Sequence, residues 1–330
     1  MLKYVRVSIG TAAVLGLVRM QLATAPTTAY LMLYNEKKCV GNCVFCPQAR
    51  ESKARGDALS RIFWPRYEME EFEKVFTSAS RSSKFGRICI QTINYPGFFD
   101  DLTGLIKRLQ HVNIPISVAV HPLSASQMQE LKNLKVNRIG IPLDAANEML
   151  FNQIKGKDVK GPYIWKKHLE ALSTAQTIFG KDNVSTHLIV GLGETEADSV
   201  IFLQKAIDAG ILPALFSFTP IKGTKFENNP RPSINHYRKI QLARYLLIKK
   251  ISCRDNFKFD EEGRITDWGI PFDQIKEILK EGVPFITSGC PSCNRPYYNE
   301  RPGETLYNYP RSLTEEEISD IIELFEENTK

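Results

Sequence analysis

The sequence predicts an α/β fold: parallel strands alternating with helices, curled into a partial or complete (β/α) barrel of the TIM-barrel type. Three observations carry this. Short apolar runs alternate with stretches of helical periodicity along most of the 330 residues. The strand–helix unit recurs six times in succession, a rhythm that argues for a parallel sheet. Near residue 250 the rhythm fades into a tail rich in Pro, Tyr, Asn and Arg. The expected division is therefore an N-terminal segment (1–27) packed on the barrel, the barrel itself (28–249) and a C-terminal region (250–330) covering one barrel end.

"AYLMLYN" (29–35) reads as the first buried barrel strand, because its apolar run is unbroken as parallel strands require. "MEEFEKVFTSAS" follows with helical spacing, and "RICIQT" (87–92) is the second strand. "LTGLIKRLQHV" is helical, and "ISVAV" (116–120) is rich in β-branched residues. Ser124 is positioned to cap the helix "SASQMQELKNL" ahead of the strand "RIGIPL" (138–143). A helix around 163–178 leads to "VSTHLIVG" (184–191), and a further helix to "PALFSFTP" (213–220). "SINHYRKIQLARYLLIKK" closes the series as a long helix. In such barrels the chemistry sits at the carboxyl ends of the strands.

Composition is that of an ordinary globular enzyme, with 43% hydrophobic and 24% charged residues. The net charge of +6 comes from dispersed Lys and Arg, which excludes a basic nucleic-acid tail but suits an acidic protein partner. The apolar stretch Val7 to Val18 has a basic start, like an export signal, but it is too short to span a bilayer. Arg19 interrupts it, and Pro26 falls just after the small residues that would be cleaved. The expectation is a cytoplasmic protein with no membrane or nucleic-acid partner.

"KKCVGNCVFCPQAR" (37–50) directly follows the first strand and places Cys39, Cys43 and Cys46 as C-x3-C-x2-C. A disulfide framework belongs to small chains in oxidising compartments. A structural zinc site uses four ligands, usually in two pairs. Closely spaced thiolates around an iron–sulfur cluster are the third reading, and three ligands on four irons leave one iron free. Cys290 and Cys293, as C-x2-C, form the other close pair. A redox pair or half of a zinc site are open alternatives for them.

This cysteine loop, with Phe45 before its last cysteine, resembles that of the radical S-adenosylmethionine (radical SAM) superfamily, and the resemblance spans residues 28 to about 245 as architecture. It implies a [4Fe–4S] cluster on Cys39, Cys43 and Cys46 whose fourth iron binds S-adenosylmethionine. It also implies one-electron cleavage to a 5′-deoxyadenosyl radical. "HLIVGLGET" (187–195) is similar to the fifth-strand motif of the biotin synthase-like branch, which implies cofactor contacts by Gly191, Gly193 and Glu194. "PLDAAN" (142–147) is similar to the fourth-strand segment whose Asp holds the ribose, here Asp144, with a helix cap as its plainer role. "QTINYPG" (91–97) occupies the second-strand position that meets the methionine amine.

Biotin synthase itself carries a second cluster on strand cysteines. Here only Cys89 matches, Ser117 and Ser185 stand at the other two positions, and Cys89 is expected to be a small buried hydrophobe. An auxiliary [4Fe–4S] cluster is expected instead on Cys253, Cys290 and Cys293 of the C-terminal region. The chain thereby resembles a component of the archaeal-type two-component lipoyl synthase. That resemblance implies sulfur transfer from the auxiliary cluster to C6 or C8 of a protein-bound octanoyl-lysine. It also implies three partners: an octanoylated lipoyl carrier protein, a second radical SAM component and an electron donor such as ferredoxin. "YPRSL" (309–313) is similar to the C-terminal serine motif of ordinary lipoyl synthases, making Ser312 a candidate fourth ligand, with a helix cap as its plainer role. The N-terminal cysteine motif of those enzymes is absent. Another cofactor-building enzyme of the same branch, and a non-catalytic iron–sulfur subunit, are the rival expectations. His121 and His187 fall near strand ends, and Lys222 and Lys225 read as surface lysines.

Overall fold

The computed structural model describes residues 2–80 and 84–327. One eight-stranded sheet forms its centre. Six of these strands are parallel neighbours in chain order: β2 (Thr28–Leu33), β6 (Arg87–Gln91), β7 (Ile116–Ala119), β8 (Arg138–Gly140), β9 (Val184–Val190) and β10 (Leu212–Ser217). Every residue of β2 is buried, as expected of a strand covered on both faces. The N-terminal segment joins the same sheet: β1 (Tyr4–Val7) runs antiparallel to β2, and β5 (Arg66–Glu68) runs antiparallel to β1. The helix α1 (Ile9–Leu15) packs behind β2. A two-residue-per-strand hairpin, β3 (Ala58–Leu59) and β4 (Ile62–Phe63), lies between the cysteine loop and β5.

Helices α2 (Met69–Ser80), α3 (Phe98–Leu109), α4 (Ala125–Asn133), α5 (Glu148–Ile154), α6 (Trp165–Phe179), α7 (Glu196–Asp208) and α8 (Ile234–Ile248) alternate with the strands. Their boundaries follow local chemistry. α3 has Asp100 and Asp101 in its first turn and Lys107 and Arg108 in its last, complementing the helix dipole at both ends. Ser124 caps α4 as expected, and Gln127 completes a capping box with it. Asn147, not Asp144, caps α5. The strand expected over 138–143 stops at Gly140, because Pro142 has no N–H to give the ladder. Asp144 then takes a left-handed conformation (φ 67°) and returns to the sheet in an isolated bridge with Leu188.

The sheet does not close on itself, because β10 and β5 are both edges. Beyond α8 come a small hairpin, β11 (Lys258–Phe259) and β12 (Ile265–Asp267), and two packed helices, α9 (Phe272–Glu281) and α10 (Glu315–Glu327). The segment between those helices seals the β10 edge with side chains. Leu215 N donates to Ser288 Oγ (2.8 Å), Arg295 donates to Leu215 O (3.2 Å), and Asn299 donates to Ser217 O (2.6 Å). Arg244 from α8 takes the next edge carbonyl, Pro213 O, at 2.7 Å. The segment then crosses to the amino ends of β2 and β6. There Ser292 O accepts from the hydroxyls of Thr27 and Thr28, and Arg87 Nε donates to Pro291 O. Gly86 is so close that a Cβ on it would fall 2.6 Å from Ser292 Oγ. The barrel is thus a partial one, completed by its own C-terminal chain. No helix among the described residues is long and apolar enough to cross a membrane.

Candidate functional site

The cysteine loop leaves the carboxyl end of β2 and folds over the barrel mouth. Cys39 N donates to Gln48 O, Cys46 N to Cys43 O, and Val40 N to Asn94 O, so the loop is held on itself and on the segment after β6. Lys38 ties the return by donating to Pro47 O, Ser52 O and Ala54 O at 2.6–3.0 Å. Gly41 presses against Tyr163, where a Cβ would fall 2.8 Å from the phenol oxygen. Cys39, Cys43 and Cys46 all face a single cavity of about 260 Å³ inside the barrel. Cys39 Sγ accepts from the backbone N–H of Gly41 (3.3 Å) and of Asn94 (3.2 Å), the kind of donor that stabilises a thiolate ligand. Burial pushes the Cys43 thiol far up and the Cys46 thiol up to about 12, so metal binding must displace their protons.

Asp144 lies on the same wall, with its carboxylate paired to Lys155 Nζ at 2.8 Å; the two side chains are 10% and 4% exposed. Lys155 also donates to Pro142 O (2.9 Å) and lies over the rings of Phe151 and Tyr163. Burial would lower its pKa, but Asp144 and the neighbouring Cys43 outweigh this and raise it, so it stays charged. Nothing in the sequence singles out Lys155. His121 and His187 both line the cavity, and burial lowers each to about 4, leaving them neutral.

Gly191 and Gly193 take φ values of 100° and 123°, a turn that favours glycine after β9. Glu194 is placed differently from the expected cofactor anchor. Its carboxylate accepts from Gly191 N (2.6 Å) and Leu192 N (3.0 Å), so it shapes the turn and is spent on backbone. Its outer side meets His236 Nε2 at 3.7 Å, while His236 Nδ1 meets Glu196 at 3.4 Å. Glu196 in turn accepts from Ile265 N on β12 and lies 3.7 Å from Lys239. Burial alone would lower His236, but its hydrogen bonds to Glu194 and Glu196 push it up to about 9.

At the other end of the cavity the structure gathers a second group of thiols, and not the one expected. Cys290 and Cys293 line the cavity together with Cys89. Cys253 is exposed, at the far side of α8 beside Gln204 of α7, and Ser312 is exposed beyond Tyr309. Neither lines the cavity that Cys290 and Cys293 face. Sequence proximity to the end of α8 suggested Cys253, but no strand returns there to carry it inward. Nor does Ser312 cap α10, because Thr314 and Glu317 form that box. Cys89, expected to be a plain buried hydrophobe, sits in register with Tyr30 on β2 and Ser117 on β7. Tyr298 stands between the two groups of thiols, within electrostatic reach of both Cys46 and Cys89. Among the described residues no three His, Cys, Asp or Glu side chains close around a single metal ion. Thiolates wrapping a cubane are spread over several irons and not gathered on one ion, which suits Cys39, Cys43 and Cys46 to the cluster they would hold.

The radical SAM superfamily model matches residues 37–206, over half of the chain and including the whole cysteine loop. The chain belongs to the radical SAM superfamily. Membership implies a [4Fe–4S] cluster and S-adenosylmethionine, and with them catalytic activity. No curated protein matches the sequence. Among solved structures, the chain is similar to methylornithine synthase (PylB), with TM-score 0.52 and 14% identity over 73% of this chain and 67% of that one. It is similar also to the FeFe-hydrogenase maturase HydG from Carboxydothermus hydrogenoformans, with TM-score 0.52 and 21% identity over 68% of this chain and 52% of that one. The chain therefore spans about half of HydG. At these identities the likeness speaks for the radical SAM fold alone.

Proposed function

We propose that this radical SAM enzyme inserts sulfur into an unactivated aliphatic position, acting as a lipoyl synthase component on a protein-bound octanoyl-lysine. The observation that carries the reading is the placement of two groups of three cysteines at opposite ends of one cavity. Cys39, Cys43 and Cys46 would hold a [4Fe–4S] cluster which, with S-adenosylmethionine bound, would supply the radical chemistry for taking hydrogen from carbon. Each sulfur placed would exchange one C–H bond for one C–S bond, the hydrogen leaving in 5′-deoxyadenosine and the electron released as carbon joins sulfide passing to the iron that held the sulfide. The auxiliary group of thiols holds the sulfide source.

The chain's own residues prepare the site. Asp144 and Lys155 offer a paired anion and cation beside the cysteine loop, where the charged and hydroxyl groups of S-adenosylmethionine need partners. Ala119, Ile189, Phe216 and Phe218 give the space between the two ends an apolar wall suited to an acyl chain. The same wall keeps water from a carbon radical. The basic net charge suits acidic partners, namely an octanoylated carrier, a second radical SAM component and a ferredoxin-like donor.

The test is anaerobic turnover of reduced, reconstituted enzyme with S-adenosylmethionine and an octanoyl-lysyl carrier, alone and with a second component. The expected result is 5′-deoxyadenosine together with a carrier heavier by sulfur. If 5′-deoxyadenosine forms but no sulfur reaches any carrier, sulfur insertion is refuted and another cofactor-building reaction of the branch takes its place. If no 5′-deoxyadenosine forms under any condition, the chain is a supporting iron–sulfur subunit.

A further inference from the structure

We propose that Cys89, Cys290 and Cys293 hold an iron–sulfur cluster, and that this cluster staples residues 287–300 across the open side of the barrel. The proposal deepens the sulfur-insertion reading by naming the auxiliary ligands, but it stands on its own geometry.

The register gives the first argument. Tyr30, Cys89 and Ser117 are neighbours across β2, β6 and β7 and all three face the cavity. Cys293 Sγ lies 3.5 Å from the Tyr30 hydroxyl, and Cys290 Sγ 3.6 Å from Ser117 Oγ. Cys89 stands between Tyr30 and Ser117 in the sheet, so the groups that meet the three sulfurs sit on three adjacent strands. All three thiols are free, with no disulfide between them. Each of the three sulfurs meets a polar group: the Tyr30 hydroxyl for Cys293, and the donors Ser117 Oγ for Cys290 and Gln91 Nε2 for Cys89 at 3.1 Å. Gly289 lets the loop close over the sulfurs, since a Cβ there would fall 3.1 Å from Cys293 Sγ.

Charge gives a second, independent argument. Arg87, Arg138 and Arg295 surround this end of the cavity, and none meets a carboxylate among the described residues. Arg87 donates to Ser117 Oγ, Asn137 Oδ1 and Pro291 O. Arg295 donates to Leu215 O and Ser288 O, with its guanidinium 3.9 Å from the centre of the Phe216 ring. Arg138 Nε, buried, has no hydrogen-bond partner. Buried cations without a counter-charge are costly, and a cluster held by thiolates supplies the missing negative charge. Zinc fits less well, because a closed zinc site takes four protein ligands and only three thiolates gather here.

The staple follows from where the ligands come from. Cys89 belongs to the middle of the sheet, whereas Cys290 and Cys293 belong to the segment that seals the β10 edge. Iron bound by all three fixes that segment to β6 from inside.

The experiment uses the full chain with Cys39, Cys43 and Cys46 changed to Ala, so that only the second site can hold iron. After anaerobic reconstitution, about four irons per chain are expected from one cubane. Adding Cys89→Ala should reduce iron to a trace, with far-UV circular dichroism confirming that the variant folds. Adding Cys253→Ala should leave the iron unchanged. Hydrogen exchange of 287–300 should be at least about tenfold slower in the iron-loaded protein than in the iron-free one. Iron that survives Cys89→Ala, or is lost with Cys253→Ala, overturns the ligand set. Exchange unaffected by iron overturns the staple. Zinc bound in preference to iron overturns the cluster. A failure of sulfur insertion is read separately, as iron at this site without sulfur on the carrier.

Discussion

Replacing His236 with Gln should remove a specific slice of the protein's pH dependence. His236 is wedged between Glu194 and Glu196, its side chain 24% exposed, and these partners raise it from 6.5 to about 9. A raised histidine contributes its full stabilisation below 6.5 and loses it as the pH climbs through 9. A difference of 2.5 pKa units between folded and unfolded chains corresponds to about 3 kcal/mol at the acid end. Of this, about 2.5 kcal/mol should disappear between pH 6.5 and 9. Other groups, the buried thiols above all, titrate in the same range, so the informative quantity is the difference between wild type and His236→Gln. Urea unfolding of both proteins across that window should show the wild type's advantage shrinking with rising pH. If the difference is flat, or grows with pH, the histidine is not held charged by the two glutamates. The loss would be felt at the turn of Gly191 and Gly193, because Glu194 holds that turn on its other side.

Other perturbations should be as specific. Lys155→Met strands Asp144 as a buried unpaired carboxylate and should cost about 3–5 kcal/mol in urea unfolding, whereas Lys155→Met with Asp144→Leu should recover most of it. Gly191→Ala forces a side chain into φ 100° with its Cβ 2.6 Å from Pro232 Cδ, and should destabilise the chain and weaken S-adenosylmethionine binding measured by calorimetry. Asn299→Ala removes the donor to Ser217 O and should cost about 1–3 kcal/mol. It should also speed limited proteolysis of the segment between α9 and α10.

Local patterns made the barrel legible. The first parallel strand is buried along its whole length, and α4, α5, α7 and α8 carry side-chain N-caps, so element order followed largely from neighbouring residues. Cys39, Cys43 and Cys46 were legible for the same reason, since their meaning lies in a spacing of a few residues. Cys89 was not, because its partners lie about 200 residues away in sequence and meet it only when the C-terminal segment crosses beneath the sheet. Cys253 looked better placed on paper because it follows a helix that ought to lead into another strand. The chain makes a short turn at Arg254–Asn256 instead, and leaves the thiol in solvent. Lys155 carries no sequence signal, because what buries it is the left-handed backbone at Asp144 eleven residues earlier.

The sealing of the β10 edge has a consequence for how the chain is made. During synthesis the six parallel strands emerge first, and the groups that cover Leu215 and Ser217 emerge only with residues 288–299. Until then the nascent sheet presents a bare edge able to pair with any other extended chain. A ribosome stalled between α8 and Ser288 would thus hold a nearly complete but adhesive barrel. The last quarter of the polypeptide serves as an internal chaperone for the part translated before it.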